Sequence, residues 1–408
     1  IVIDETDGVE LLDIDTANGS ITIVTSGNTI ATDVTSTTDD DANDIAITLT
    51  TGDLEVGTIN AGTTDGDVTL TLTGAAGQAV TDGDDDSLIT TDDLIILAQA
   101  NIGTSEQAIN TNADTYDNID STVDGGIYLN DTGANGVIAT AVDTVSGSIS
   151  IDAVNDITVT AINAGGTGDV TLTAGNEILD DNVNGDADIT GDVVTLIAEN
   201  AIGGGIDADA IGISASELLN ADANESDIFL DVSMGGATTN IGMIDAGTGT
   251  APGDVSLDAG LNPLADGNGS ALNIIGSTLN VAGAGGLGIA ANAIETELDT
   301  LTYANTVGVV NIANTGALSA SGTNTGTDTM ITASSPLTIP LAGISSAATI
   351  TLQASDDGGD DDHLTINGDV VSTSSATIEL RAGTHVIVNA AVAVFHRTGV
   401  NHRQIVVA

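Results

Sequence analysis

Gly168-Asp169-Val170-Thr171-Leu172-Thr173-Ala174-Gly175 decides the reading of the fold, because the chain repeats it. It stands upstream as Gly66-Asp67-Val68-Thr69-Leu70-Thr71 and downstream as Gly253-Asp254-Val255-Ser256-Leu257-Asp258-Ala259-Gly260, with a looser copy at Ile350-Thr351-Leu352-Gln353-Ala354. A second phrase precedes each copy: Ile59-Asn60-Ala61-Gly62, Ile162-Asn163-Ala164-Gly165, Ile244-Asp245-Ala246-Gly247 and Pro340-Leu341-Ala342-Gly343. A third phrase follows, as Leu88-Ile89-Thr90-Thr91-Asp92-Asp93-Leu94-Ile95-Ile96-Leu97-Ala98 and again as Asp188-Ile189-Thr190-Gly191-Asp192-Val193-Val194-Thr195-Leu196-Ile197-Ala198. A unit repeated in fixed order cannot bury its apolar face alone and must stack on its neighbours. From Val68 to Val170, Val255 and Ile350 the period runs 102, 85 and 95 residues, so the strands are held constant and the loops are not.

Within each phrase aliphatic residues alternate with Thr, which gives a short strand with one dry face. Clusters of Gly, Asp and Asn such as Asp180-Asp181-Asn182-Val183-Asn184-Gly185 read as turns. Two stretches, Asp207-Ala208-Asp209-Ala210-Ile211 into Ala215-Ser216-Glu217-Leu218-Leu219 and Ala293-Ile294-Glu295-Thr296-Glu297-Leu298, carry a helical pattern long enough for a turn or two. The chain has three Tyr, two Phe and no Trp, so an interior built from it is narrow and aliphatic. A row of β-sandwich modules would also suit the period, but each module expects a large core aromatic. The sequence therefore predicts an all-β chain, an elongated parallel β-helix of roughly 25 residues per winding and about 16 windings. At about 4.8 Å per winding the rod would be roughly 80 Å long. Residues 1–408 read as one continuous solenoid with an incomplete first unit (1–58), repeats over 59–161, 162–243 and 244–338, and a terminal unit at 339–408.

Composition limits the functions open to such a body. Sixty acidic residues against three Arg and no Lys give a formal charge of −57. That balance excludes a nucleic-acid footprint and opposes anionic membrane surfaces, and no apolar run is long enough to insert into a bilayer. It also demands screening by salt or divalent cations. With no Cys, disulfides contribute nothing. A chain that opens on Ile1 with no signal peptide reads as processed or as part of a longer protein.

The repeated phrases, closing on pairs such as Ile102-Gly103 and Ile202-Gly203, resemble the shaft repeats of filamentous-haemagglutinin-type adhesins and related giant bacterial surface exoproteins. That resemblance covers most of the chain and implies a right-handed β-helix, secreted or held at the cell surface, that spaces or displays something.

The sharpest candidate for bound metal is the loop from Asp82 to Asp93. Asp82, Asp84, Asp86 and Asp93 fall at positions 1, 3, 5 and 12 of a calcium loop, although Ser87 replaces its glycine and Asp93 its glutamate. The alternative is a solvated tip loop. A second acidic run supplies Asp356, Asp357, Asp360, Asp361 and Asp362. Calcium is the expected cation. Arg381, Arg397, Arg403 and all four His lie near the end of the chain, where His396, Arg397, His402, Arg403, Ile405 and Val407 form a strand-like basic tail. Pairing of that tail with Ile1, Val2 and Ile3 of another copy would give a head-to-tail homopolymer. No nucleophile-base constellation stands out, so the expectation is a structural shaft or filament subunit rather than an enzyme. An adhesin holding surface glycans is the alternative, and a polysaccharide-cleaving enzyme a distant third.

Overall fold

The computed structural model describes the 408 residues except 41, 75–76, 84–86, 182–185, 205–209, 237, 284, 306, 357, 359–361, 375, 390–391, 397–405 and 408. Among the described residues every regular element is a β-strand, and every pairing between strands is parallel. Within each of two units the strands stack as a parallel β-solenoid, about 16 turns in all. A sandwich would need antiparallel ladders, and the antiparallel contact present is an isolated bridge between Ile289 and Asn292.

Residues divide into two compact units, Ile1–Glu199 and Asn200–Ala408. In the first, Ile3, Ile23, Ile47, Leu70, Ile96, Ile119, Val142, Ile162 and Ile189 lie in register one above another. Steps in that column range from 20 residues (Ile3 to Ile23) to 27 (Ile162 to Ile189), so loop length varies while the strand register holds. From Ile23 to Ile189 each is almost wholly buried. Burial of each such side chain contributes about 1.5–3 kcal/mol, which is what fixes the register. In the second unit Ile228, Val255, Leu279, Leu301 and Ala320 form a comparable column.

Three copies of the repeat are now explained: in each, the winding that carries the third phrase is laid directly on the winding that carries the first two. Ile59 lies under Ile89 while Val68 lies under Leu94; Ile162 lies under Ile189 while Val170 lies under Val194; Ile244 lies under Ile274 while Val255 lies under Leu279. The Asn/Asp-Ala-Gly phrase is the corner between the two strands. Side-chain oxygens of Asn60, Asn163 and Asp245 accept the N–H of Gly62, Gly165 and Gly247 at 3.1, 3.0 and 2.8 Å. The intervening Ala61, Ala164 and Ala246 point inward and are fully buried. Gly62, Gly165 and Gly247 take φ of 104°, 69° and 90°, a region costly for a side chain. The Gly that opens the next phrase is fixed by crowding: a Cβ on Gly168 would lie 2.1 Å from the Gly147 carbonyl oxygen.

The two helical expectations fail. Ala215 to Leu219 lies within the strand Ile211–Asp222, and Ala293 to Leu298 straddles the strand Ile294–Glu297; residues 207–209 lie outside the described residues. Leu219 stacks on Ile241 and Ile294 on Ile312, so completing a column outweighs a short helical pattern.

Each unit encloses one tyrosine in this narrow interior. Tyr116 lies between Leu94 and Ala139, and Tyr303 between Val281 and Gly322. The small residue on one side makes room, and a Cβ on Gly322 would sit 2.5 Å from the Tyr303 ring. The Tyr116 hydroxyl, pushed well above its ordinary range by burial and by the Asp131 charge, is 2.6 Å from Thr111 Oγ1, which donates to Asp131 Oδ1 at 3.3 Å. Asp131 is fully buried and also accepts the Ala113 and Gly133 N–H groups.

Candidate functional site

The exit half of the predicted calcium loop is strand where a helix would be expected. Asp82 ends the strand Val80–Asp82, is 4% exposed, and accepts the Ser87 hydroxyl at 2.7 Å. Asp93 lies in the middle of the strand Leu88–Ala98, paired with Thr115, so the second half of the loop is extended strand with no exit helix. The cause is Ile89, which completes the column above Ile59. Asp84 and Asp86 lie outside the described residues. Of the second run, Asp356 caps its own turn by accepting the Gly358 N–H at 2.9 Å, and Asp362 is buried, while Asp357, Asp360 and Asp361 lie outside the described residues. Among the described residues no three His, Asp or Glu side chains converge as a metal site would require.

Of the expected assembly residues, Val2 and Ile3 lie in the strand Val2–Asp4, paired along one edge to Thr22, Ile23 and Val24, with Val2 81% exposed and Ile1 half exposed. His396 closes the strand Val394–His396, paired with Val370, Val371 and Ser372, and Val407 pairs with Leu380. Arg397, His402, Arg403 and Ile405 lie outside the described residues.

Acidic side chains instead serve the solenoid in a way that their clustering hid. The Asp of the repeated Gly-Asp pair caps the next winding. Asp254 Oδ1 accepts the Thr278 N–H at 3.0 Å, and the Asp254 N–H itself goes to Asp227 Oδ1 at 2.8 Å. In the first unit Asn28 Oδ1 accepts the Asp53 N–H, and Asp53 Oδ1 the Ala79 N–H at 2.9 Å. Asp39 is held harder still, by the N–H groups of Thr63, Thr64, Asp65 and Gly66. Burial pushes its carboxyl up, but these bonds outweigh burial and leave it below the ordinary carboxylate value.

Stacking like on like also brings carboxylates together. Asp120 lies in register with Asp143, and burial first, then the Asp143 charge, raises the Asp120 carboxyl. Asp92 is raised by burial and then by Asp93, Asp114, Asp67 and Asp65. Residues 1–199 contain no Lys, Arg or His, so no side-chain cation of that unit can offset this charge.

A different kind of site lies on one outer face of the second unit. Glu295, Ala313, Thr332, Gln353 and Arg381 are in register on successive windings and point outward. The first three of them, Glu295, Ala313 and Thr332, line a cleft of about 390 Å³ together with Ser270, Leu272, Asn314, Thr315, Ser334 and Ser355. Glu295 Oε2 is buried there with no hydrogen-bond partner. Its carboxyl is raised by burial first and then by Asp266. Asp266 itself is held by four hydrogen bonds: Oδ1 accepts from Asn273 Nδ2 and the N–H groups of Asn268 and Gly269, and Oδ2 from Asn292 Nδ2. These bonds overcome burial and hold Asp266 low. The Glu295 N–H is fixed by Asn273 Oδ1 at 3.0 Å, so the buried Asn273 ties the start of this strand to the winding below.

No family model, no curated protein and no solved structure matches the chain.

Chemically, the cleft offers serine and threonine hydroxyls, while Glu295 Oε2 itself is closed off from it. Ser334 Oγ accepts the Gly316 N–H and Ser355 Oγ accepts Gln353 Nε2, so each O–H is left to donate outward. Asp266 is not among the lining residues, and among the described residues Glu295 is the one carboxylate that lines the cleft. Sequence reading missed this site because Glu295 sat in a stretch with helical spacing, and nothing local marks Ser334 or Ser355 as its neighbours. The usable signal was the outward position of Glu295 in the alternation of Ile294-Glu295-Thr296.

Proposed function

We propose that the chain is a structural β-solenoid of an extracellular surface fibre, of the shaft type found in filamentous-haemagglutinin-like exoproteins, with divalent cations such as calcium bound diffusely along its carboxylate faces. The carrying observation is the in-register stacking of carboxylates, Asp120 with Asp143 and Asp92 near Asp93, Asp114, Asp67 and Asp65, in a unit devoid of side-chain cations. Such a surface stores repulsion that mobile cations relieve, and a calcium-rich exterior supplies them. A spacer needs only a long buried column, which the aliphatic stacks provide.

Assembly belongs to the same reading. The strands Val2–Asp4, Val9–Leu11 and Ile14–Thr16 pair along one edge only, as do His385–Val388 and Val394–His396, among the described residues. Exposed edges of this kind join copies end to end. Calorimetry with calcium and with chelator tests the cation, and electron microscopy tests the fibre. A melting temperature unmoved by chelator and restored calcium would sink the first. Filaments that survive removal of residues 395–408 would sink the second.

A further inference from the structure

The geometry points to a two-histidine site for a borderline transition-metal ion, zinc above all, formed by His363 and His385 on adjacent windings of the second unit. It is separate from the diffuse calcium of the shaft reading, because its donors are ring nitrogens instead of carboxylates and an isolated copy carries the whole site.

The winding register builds the pair. His363 opens the strand His363–Ile366, His385 opens the strand His385–Val388, and the two are direct partners in the parallel ladder. Leu364, the next residue, completes the buried column above Leu337, so strand alternation turns both imidazoles outward. His363 is part-buried and His385 exposed. Their ring centroids are 5.2 Å apart, with the planes at 63°. An ion held tetrahedrally by one nitrogen of each ring, through bonds of about 2.0–2.1 Å, sets two imidazole centroids about 5.2 Å apart. The right angle of a square-planar ion would set them about 4.5 Å apart. The rings therefore already stand at the spacing that zinc requires.

The ring orientation is prepared as well. Thr384 Oγ1 lies 2.5 Å from His363 Nδ1. When Nδ1 donates its hydrogen there, Nε2 carries the bare lone pair that a metal takes, the usual arrangement behind a ligating histidine. No third side chain converges on the pair among the described residues, so water completes the shell and the ion stays exchangeable. The surroundings concentrate cations. A Cβ on Gly383 would meet Asp356 and Asp362 within 3.0 Å, so the acidic run packs against the turn that delivers His385. Calcium and magnesium select oxygen donors, whereas imidazole suits zinc, copper and nickel. With no Cys in the chain, no thiolate competes for the ion. Bound zinc would clip His385–Val388, a strand paired along one edge only among the described residues, to the winding below it.

The test is titration of the full chain with zinc chloride in excess calcium, read by calorimetry and by long-range nitrogen–proton NMR of the imidazoles. One zinc per chain is expected, on His363 Nε2 and on His385, with His363 Nδ1 still protonated, and copper(II) should bind the same place more tightly. His363→Ala and His385→Ala should each weaken binding tenfold or more, and Thr384→Val about tenfold by freeing the ring. His396→Ala and His402→Ala should change nothing. Zinc should also slow amide exchange from Val386 to Val388. Thermal melting checks that each variant folds, and the imidazole spectra of the wild type identify the ligands without any variant. Absence of zinc binding, displacement of zinc by calcium, shifts confined to His396 and His402, or undiminished affinity in the double variant His363→Ala/His385→Ala overturns the proposal. A melting temperature indifferent to calcium would sink the diffuse-cation reading and leave this site standing, so the two fail separately.

Discussion

Replacing Asp131 isolates what a buried carboxylate does inside this solenoid. Its side chain accepts Thr111 Oγ1 at 3.3 Å, the Ala113 N–H at 3.3 Å and the Gly133 N–H at 3.1 Å, and it is fully buried. Asp131→Ala strands two backbone donors, at about 1–3 kcal/mol each, so a loss of about 2–6 kcal/mol follows. Asp131→Asn keeps an oxygen for Thr111 and Ala113, forfeits the acceptor for Gly133, and removes a buried charge. The two effects oppose each other, so the asparagine variant loses less than half of what the alanine variant loses at pH 7.

The pH dependence supplies the sign. Burial leads the causes that hold the Asp131 carboxyl above its ordinary value, ahead of the hydrogen bonds that lower it. A carboxyl raised in the folded state contributes stability that is fully present below its unfolded value of 3.8 and is lost as pH rises through the folded value. Wild type therefore gains stability from this group as pH falls from 7, and Asp131→Asn does not, so the gap between them widens on acidification. Each winding of a solenoid contacts only its neighbours, so a local readout is sharper than a global free energy. Native-state hydrogen exchange at Ala113 and Gly133, measured at pH 7 and pH 5, reads the two stranded amides directly. Exchange at both unchanged in Asp131→Ala, or an identical pH response in wild type and Asp131→Asn, would refute the reasoning.

Other perturbations follow from the same stacking. Raising sodium chloride from 0.05 to 0.5 M should raise the melting temperature, with exchange slowing more at Asp92 and Asp120 than at amides of the second unit; uniform slowing would contradict a localised repulsion. Mild acidification should stabilise the chain as a whole, because Asp92, Asp120, Asp131, Asp143 and Glu295 are raised by burial whereas Asp39 and Asp266 are held low and pull the other way; a melting temperature that falls steadily from pH 7 to 5 would show the sign to be wrong. Gly322→Ala sets a methyl against both the Tyr303 carbonyl oxygen and its ring and should cost about 1–3 kcal/mol, of which Tyr303→Leu relieves only the contact with the ring; faster amide exchange on the neighbouring windings in the single variant, partly reversed in the double, measures the coupling. Asp254→Ala removes the cap on Thr278 and should cost about 1 kcal/mol, with faster exchange at the Thr278 amide as the check.

The fold was legible because stacking writes itself into sequence twice. Each aliphatic residue must match its partner one winding away, and each winding needs a corner, so Ile59 with Ile89 and Asn60-Ala61-Gly62 with Asn163-Ala164-Gly165 recur together. The short helices misled because Ala-Ser-Glu-Leu-Leu is locally helical, and only the partner Ile241, more than twenty residues on, makes Leu219 a strand residue. Sites were harder to read for the same reason. The calcium-loop spacing of Asp82 and Asp93 is a local pattern, whereas Glu295, Thr332 and Ser355 become neighbours only through the winding register.

The acidity itself then has two causes with opposite signs. An Asp just before a strand is favourable, because its carboxylate takes the N–H of the next winding, as Asp254 does for Thr278 and Asp53 for Ala79. The same position recurs on every winding, so selecting a good cap once tends to place another carboxylate about one interstrand spacing away. At ~4.8 Å two unit charges repel by about 3.5 kcal/mol at an effective dielectric of 20, more than a neutral cap contributes. A stack of capped windings is therefore favourable only with counter-ions present. Replacing the caps by Asn, which accepts the same bond without charge, should leave the fold intact and remove its dependence on salt.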